Sequence, residues 1–267
     1  ETTLRFAKLE LIRGEWRKFR ESLTQPTDGQ QTDPNLTSFN IGAVNVEEHD
    51  QREPINYVIP PGILREVDPS QAFQRQLNEQ SMTLEVCDLK DGDARGATKN
   101  VGMDMVMYKN LEMFIHAEEL EPTKPLNDND VSVFVRLGTD FKENYYEYEV
   151  PLKVTPWGAS GDLDIWPEEN NLRIVFEELI QLKKERNEAL NSPGSNVAFN
   201  IEYEKVVAHQ PGTSDNNNVN HPPRVMKIRG NPNITDVKTV MIGVRNPSQN
   251  KDHPWQPDDG LDKCVQV

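Results

Sequence analysis

Histidines, cysteines and close pairs of carboxylates are the side chains here whose types and spacing are suited to chemistry. The five histidines are His49, His116, His209, His221 and His253. No two fall in an HExxH or HxH spacing, and none shares a strand face with another, so neither a zinc site nor a partnered base is marked. His116, inside Met113–Ala117, reads as a strand histidine with its hydrogen bonds satisfied locally. No serine sits in a GxSxG elbow, and there is no phosphate loop or dinucleotide fingerprint. Glu147 with Glu149, and Glu118 with Glu119, have the composition of a glycosidase pair. Glu147 and Glu149, however, alternate with apolar neighbours and read as the wet side of a strand. The sequence thus predicts no catalytic residue, no cofactor-binding residue and no metal ligand, and hence no enzyme.

Two acidic stretches, Asp88–Asp93 and Asn127–Asp130, offer oxygen donors to calcium. Neither fits the twelve-residue EF-hand loop, and both read as solvated turns. Three tryptophans stand in Pro/Gly-rich contexts: Trp157 in Thr155-Pro156-Trp157-Gly158, Trp166 before Pro167, and Trp255 after Pro254. Such rings stack on sugars or on a partner protein, or plug the end of a sandwich core. Trp157, Trp166 and Trp255 are therefore the candidate partner or glycan contacts. Cys87 and Cys264 are too few for a disulfide scaffold. They are either one bridge between two strands or two ordinary buried thiols.

The charge balance narrows the partners. With 29 Lys and Arg against 44 Asp and Glu, the net charge is -15. That disfavours nucleic acid, whose phosphates need cations, and anionic lipid for the same reason. No run reaches the ~20 apolar residues of a membrane helix. The chain starts in what reads as a strand, with no signal peptide, and ends in another. Both ends therefore read as boundaries inside a longer protein.

Period-two alternation dominates the pattern. Val131, Val133, Val135 and Leu137 share one face. Tyr146, Tyr148, Val150, Leu152 and Val154 share another after a loop at 140–144. Further strands are expected at Thr3–Ile12, Ser38–Glu47, Ser81–Leu89, Asp104–Tyr108, Leu111–Ala117, Val197–Val207, Arg224–Arg229, Val237–Val244 and Cys264–Val267. Loops are expected at 24–36, 88–100, 209–223 and 246–263. Leu172–Leu190 breaks the pattern with helical spacing and is stopped by Pro193-Gly194. The fold class expected is mainly β: an antiparallel β-sandwich of jelly-roll type with one packed amphipathic helix at about 172–190 and long loops. A membrane-barrel fragment is the competing reading, disfavoured by the prolines, long loops and helix. One domain spans 1–267, with a peripheral strand and loop at 1–36, an extended Pro-punctuated segment at 37–80, and the sandwich core at 81–267.

Particular phrases then carry a resemblance. They include Phe39-Asn40-Ile41-Gly42-Ala43-Val44, Tyr57-Val58-Ile59-Pro60-Pro61-Gly62, Tyr145-Tyr146-Glu147-Tyr148-Glu149-Val150-Pro151, Trp166-Pro167-Glu168-Glu169-Asn170, Lys227-Ile228-Arg229-Gly230-Asn231-Pro232 and Met241-Ile242-Gly243-Val244-Arg245-Asn246-Pro247. Together, from about residue 38 onward, the chain resembles a fragment of the SprA/Sov family, the outer-membrane translocon of type IX secretion that is also tied to gliding motility. The resemblance implies a soluble, extracytoplasmic structural or interaction domain at the cell outer membrane. It implies partners among other secretion-system subunits and secreted cargo, and no catalytic residues. A carbohydrate-binding module and a calcium-stabilised adhesion domain are the alternatives that the residues themselves raise.

Overall fold

The computed structural model describes residues 16–23, 36–67, 76–207, 223–247 and 261–267. The expected strand Thr3–Ile12, the loop tryptophan Trp255 and the histidines His209, His221 and His253 lie outside these residues. Thirteen strands are described: β1 Arg17–Lys18, β2 Ser38–Asn45, β3 Gln80–Leu89, β4 Ala94–Met103, β5 Asn110–Met113, β6 Glu118–Glu119, β7 Ser132–Gly138, β8 Tyr145–Pro151, β9 Leu172–Val175, β10 Tyr203–Val207, β11 Arg224–Arg229, β12 Val237–Arg245 and β13 Lys263–Gln266. Two helices, α1 Asp162–Ile165 and α2 Phe176–Leu190, lie either side of β9.

The strands pair antiparallel in three sheets. The largest has the order β1-β4-β12-β7-β8-β11-β10, the second β2-β3-β13-β6, and β5 with β9 forms a ribbon. The anticipated β7–β8 hairpin is present, with Val133 opposite Val150 and Val135 opposite Tyr148. Side chains alternate across a strand, so this register puts Val133, Val135, Tyr146, Tyr148 and Val150 on one face. There they share a buried core with Leu84 and Val86 of β3 and Val265 of β13, so the two larger sheets press together. Each such aliphatic side chain contributes about 1.5–3 kcal/mol by leaving water. Burial in this core pushes the Tyr146 hydroxyl up to about 12.

The helix is shorter than expected. Leu172–Val175 is strand β9, paired residue for residue with β5, and the helix begins at Phe176. Ile174 and Val175 are β-branched and favour the extended chain. Their apolar spacing fits either element, and the β5 edge decides it. Phe176, Leu179, Leu182 and Arg186 are the buried stripe of α2. Lys183 Nζ donates to Pro232 O at 2.7 Å and Arg186 Nη1 to Gly230 O at 2.8 Å, which ties the helix to the β11–β12 turn.

Three other expectations are corrected. The polar stretch 88–100 is mostly sheet: β3 runs to Leu89, a turn with Gly92 at φ +73° follows, and β4 starts at Ala94. Its charges misled because Arg95 is neutralised internally by Asp93, both buried. Asp104–Tyr108 is a turn, where Asp104 Oδ1 accepts from the Val106 N–H, and of Leu111–Ala117 only the part to Met113 is strand, paired with the four residues of β9. Only Tyr203–Val207 of the expected strand 197–207 is extended. The residues before it turn, with Ile201 N–H bonded to Ala198 O.

The cysteines are joined. Cys87 and Cys264 form a disulfide between β3 and β13, 177 residues apart in sequence. The register shifts between Lys263 and Val265, and Asp88 takes φ +55°, so the β3–β13 ladder is irregular at the bridge.

Candidate functional site

One end of the sandwich holds a cavity of about 260 Å³ between the two larger sheets. Val44, Met82 and Leu84 form the β2–β3 wall, and Val133 and Ile242 the β7–β12 wall. The end is closed by residues from loops. Tyr57 meets Trp166 edge to face with centroids 6.3 Å apart, and Phe114 and His116 meet the same indole at 6.5 and 5.9 Å. Trp166 is only 7% exposed, and its Nε1 donates to Val58 O at 2.9 Å. Trp166 is thus a wall of the core end, as one of the two sequence readings had it. Tyr57 donates to Glu79 Oε2 at 2.5 Å, and burial first and Glu79 second push its hydroxyl above the ordinary tyrosine range.

Beside the cavity, Thr155, His116 and Glu118 stand in a row that superficially resembles a hydrolase triad. His116 Nδ1 is 2.8 Å from Ile165 O and 3.2 Å from Thr155 Oγ1, and Nε2 is 3.5 Å from Glu118 Oε2. A carbonyl only accepts, so Nδ1 carries a proton and gives it to Ile165. The Thr155 hydroxyl faces that N–H and in turn reaches Asp164 O at 3.4 Å. The row therefore holds no base against a nucleophile. It is a clasp that ties β6 to the loop 155–165, closed by Arg52, which bonds Glu118 and, at 3.3 Å, Gln266. Burial alone would raise the Glu118 carboxyl, and the hydrogen bonds from His116 and Arg52 overcome this and hold it low.

On the outside of the same wall lies Trp157, 48% exposed. Its Nε1 donates to Glu119 O at 3.1 Å, which fixes the ring and leaves a face open. Two shallow depressions flank it, one reaching Asp128 and the other Glu53 and Pro54, with Glu119 shared between them. The surface around the ring is thus acidic.

A family model described as motility related/secretion protein matches residues 1–260. The chain belongs to the SprA_N family. No curated protein matches it in sequence. The family assignment agrees with the resemblance carried by the phrases from Phe39 onward. Among the described residues, no helix is long and apolar enough to cross a membrane.

In this SprA_N chain the carboxylates Glu147 and Glu149 are not on a wet face. They lie opposite Tyr146 and Tyr148 as the alternation requires, but both are fully buried. Lys227 of β11 bonds Glu149 at 2.7 Å and approaches Glu147 at 3.2 Å. Arg245 of β12 bonds both, at 2.9 Å to Glu147, and Arg136 of β7 also pairs with Glu147. Ser132 adds a hydrogen bond to Glu149 at 2.5 Å. Burial would raise the Glu147 carboxyl, but Arg136, Arg245 and Lys227 together hold it well below the carboxylate range. Burial would likewise lower Lys227, and Glu149 and Glu147 more than restore its proton. These are structural charges, paired with one another inside the fold.

The acidic turns are also engaged. Asp88 pairs with Lys124, Asp93 with Arg95, and Asp130 with Lys263 at 2.9 Å, so their carboxylates point at cations in three different places. Glu118 and Glu147 make stability depend on pH. Both have folded values below the ordinary 4.5, so their contribution is fully present above that pH and is lost as pH falls through the folded values. Thermal melts followed by circular dichroism are expected to be level between about pH 7 and 5 and to fall steadily below pH 4.5.

Proposed function

We propose that this chain is a non-enzymatic structural and interaction domain of an outer-membrane secretion translocon of the type IX kind, linked to gliding motility. Family membership is the observation that carries the reading. The Cys87–Cys264 bridge supports an extracytoplasmic setting, since such bonds persist in oxidising compartments. The spent hydrogen bonds of Thr155, His116 and Glu118 support a role without catalysis. On this reading the two facing sheets are a sandwich wound in the jelly-roll manner. They stand as a soluble region at the cell outer membrane, with no membrane insertion of their own.

Its partners would be other secretion-system subunits and secreted cargo, met at the fixed ring of Trp157. Exposed, rigid tryptophans dominate many protein interfaces, and truncating one costs about 2 kcal/mol, or roughly 30-fold in affinity. The test is capture of accessory subunits and cargo by the full-length protein and by its Trp157→Ala variant, alongside secretion into the medium. Weaker capture and lower secretion are expected for the variant. Undiminished secretion after deletion of 36–267 from the full-length protein would remove the reading.

A further inference from the structure

The sandwich-end cavity is too large to be a packing fault. Protein interiors are filled to crystal-like density, with few voids larger than a water molecule. A dry cavity of ~150 Å³ already accepts benzene. The present one, at about 260 Å³, is larger and is partly open.

Its walls say what fits. Val44, Leu84, Ile115, Val133 and Ile242 give aliphatic surface, and the side chains of Met82 and Met113 can reshape around a flexible guest. Polar side chains are present only in part of the wall. Those that solvent reaches there are Arg52, Asn56, Ser81 and His116. Arg52 spends only Nη2 on Glu118 and Gln266. The pocket is therefore apolar inside and carries at its wetter edge the Arg52–Glu118 ion pair, in which Arg52 keeps Nε and Nη1 as uncommitted donors. That is the usual division of a small-ligand site, in which apolar walls bind and a few polar groups orient.

We infer that this cavity is a binding site for a single unbranched hydrocarbon chain of medium length, with an anionic head at Arg52. Two sources offer that chemistry: a free fatty acid and a monoacyl phospholipid. Arg52 also lines a depression beside Trp157, but the apolar walls share no residue with that surface, so Val44→Phe and Met82→Phe test the cavity separately from the proposed function.

Trp166 lines the cavity and supplies the readout. Dansyl-labelled undecanoate titrated into the protein is expected to quench tryptophan emission and to brighten saturably at one probe per chain. Displacement by unlabelled decanoate alone assigns a free acid, and displacement by decanoate and a monoacyl phospholipid alike assigns either source. Displacement by neither overturns the inference. Val44→Phe or Met82→Phe, which fill the partly exposed wall, are expected to weaken the probe at least ten-fold while the melting temperature is kept. Leu163→Ser, on an exposed surface away from the cavity walls, is expected to leave binding unchanged. Undiminished binding in a folded filling variant, or uptake of many probes per chain, would equally overturn the site.

Discussion

Lys227→Met is expected to lower the melting temperature by roughly 10 °C, the effect of a loss of about 3–5 kcal/mol in a chain of this size. The size follows from what is left behind. Lys227 is fully buried between Glu149 and Glu147, and no water can take over the ammonium's place. Arg136 and Arg245 would then face Glu147, Glu149 and Glu202 with one positive charge too few. Removing one partner of a buried pair is costly, whereas removing both can be close to neutral. The double variant Lys227→Met with Glu149→Gln should therefore recover much of the loss. Equilibrium denaturation of the four proteins gives the coupling directly. Additive losses would show that Lys227 and Glu149 do not work as a pair.

Replacing both Cys87 and Cys264 with serine should produce the second large effect. The bridge closes a loop of 177 residues, for which the chain-entropy relation gives about 5 kcal/mol, the upper end of measured values. Because β13 runs only from Lys263 to Gln266, it has few ladder bonds of its own, and the bridge holds it between β3 and β6. A drop of roughly 10 °C or more is expected on reduction as well as in the double variant. Melting curves that coincide with and without reductant would show that the four-stranded sheet holds β13 without the bond.

Strands with a local signature were legible in the sequence. The β7–β8 hairpin shows its alternation in consecutive residues, and Tyr146, Tyr148 and Val150 face the core as that period requires. The environment of the opposite face was not legible. Glu147 and Glu149 read as wet because two of their three cations arrive from far along the chain: Lys227 lies 78 residues beyond Glu149, and Arg245 98 beyond Glu147. Polarity in a sequence marks water only when no distant partner replaces it. The stretch 88–100 misled for a different reason: Asp93 and Arg95 are near neighbours whose charges cancel inside the fold.

The candidate contact residues divide in the same way. Trp157 and Trp166 were singled out by their Pro/Gly contexts, but their opposite fates depend on where the loops lie. The Trp166 indole is trapped by Tyr57, Phe114 and His116, while Trp157 is pinned from outside by Glu119. Sequence reasoning passed over Tyr57 and Arg52, which sit in an irregular stretch. Their one local signal was the cluster of apolar residues among prolines at 54–61.

The place of β12 has a consequence for how the chain matures. It sits between β4 and β7, pairing with 94–103 on one side and 132–138 on the other. A polypeptide delivered N-terminus first would present both of those edges long before residue 237 arrived to occupy the slot. Until then two unsatisfied ladders would stand open to any extended neighbour, which is the geometry of mispairing. The strand order thus makes the arrival of β12 the step that seals the largest sheet.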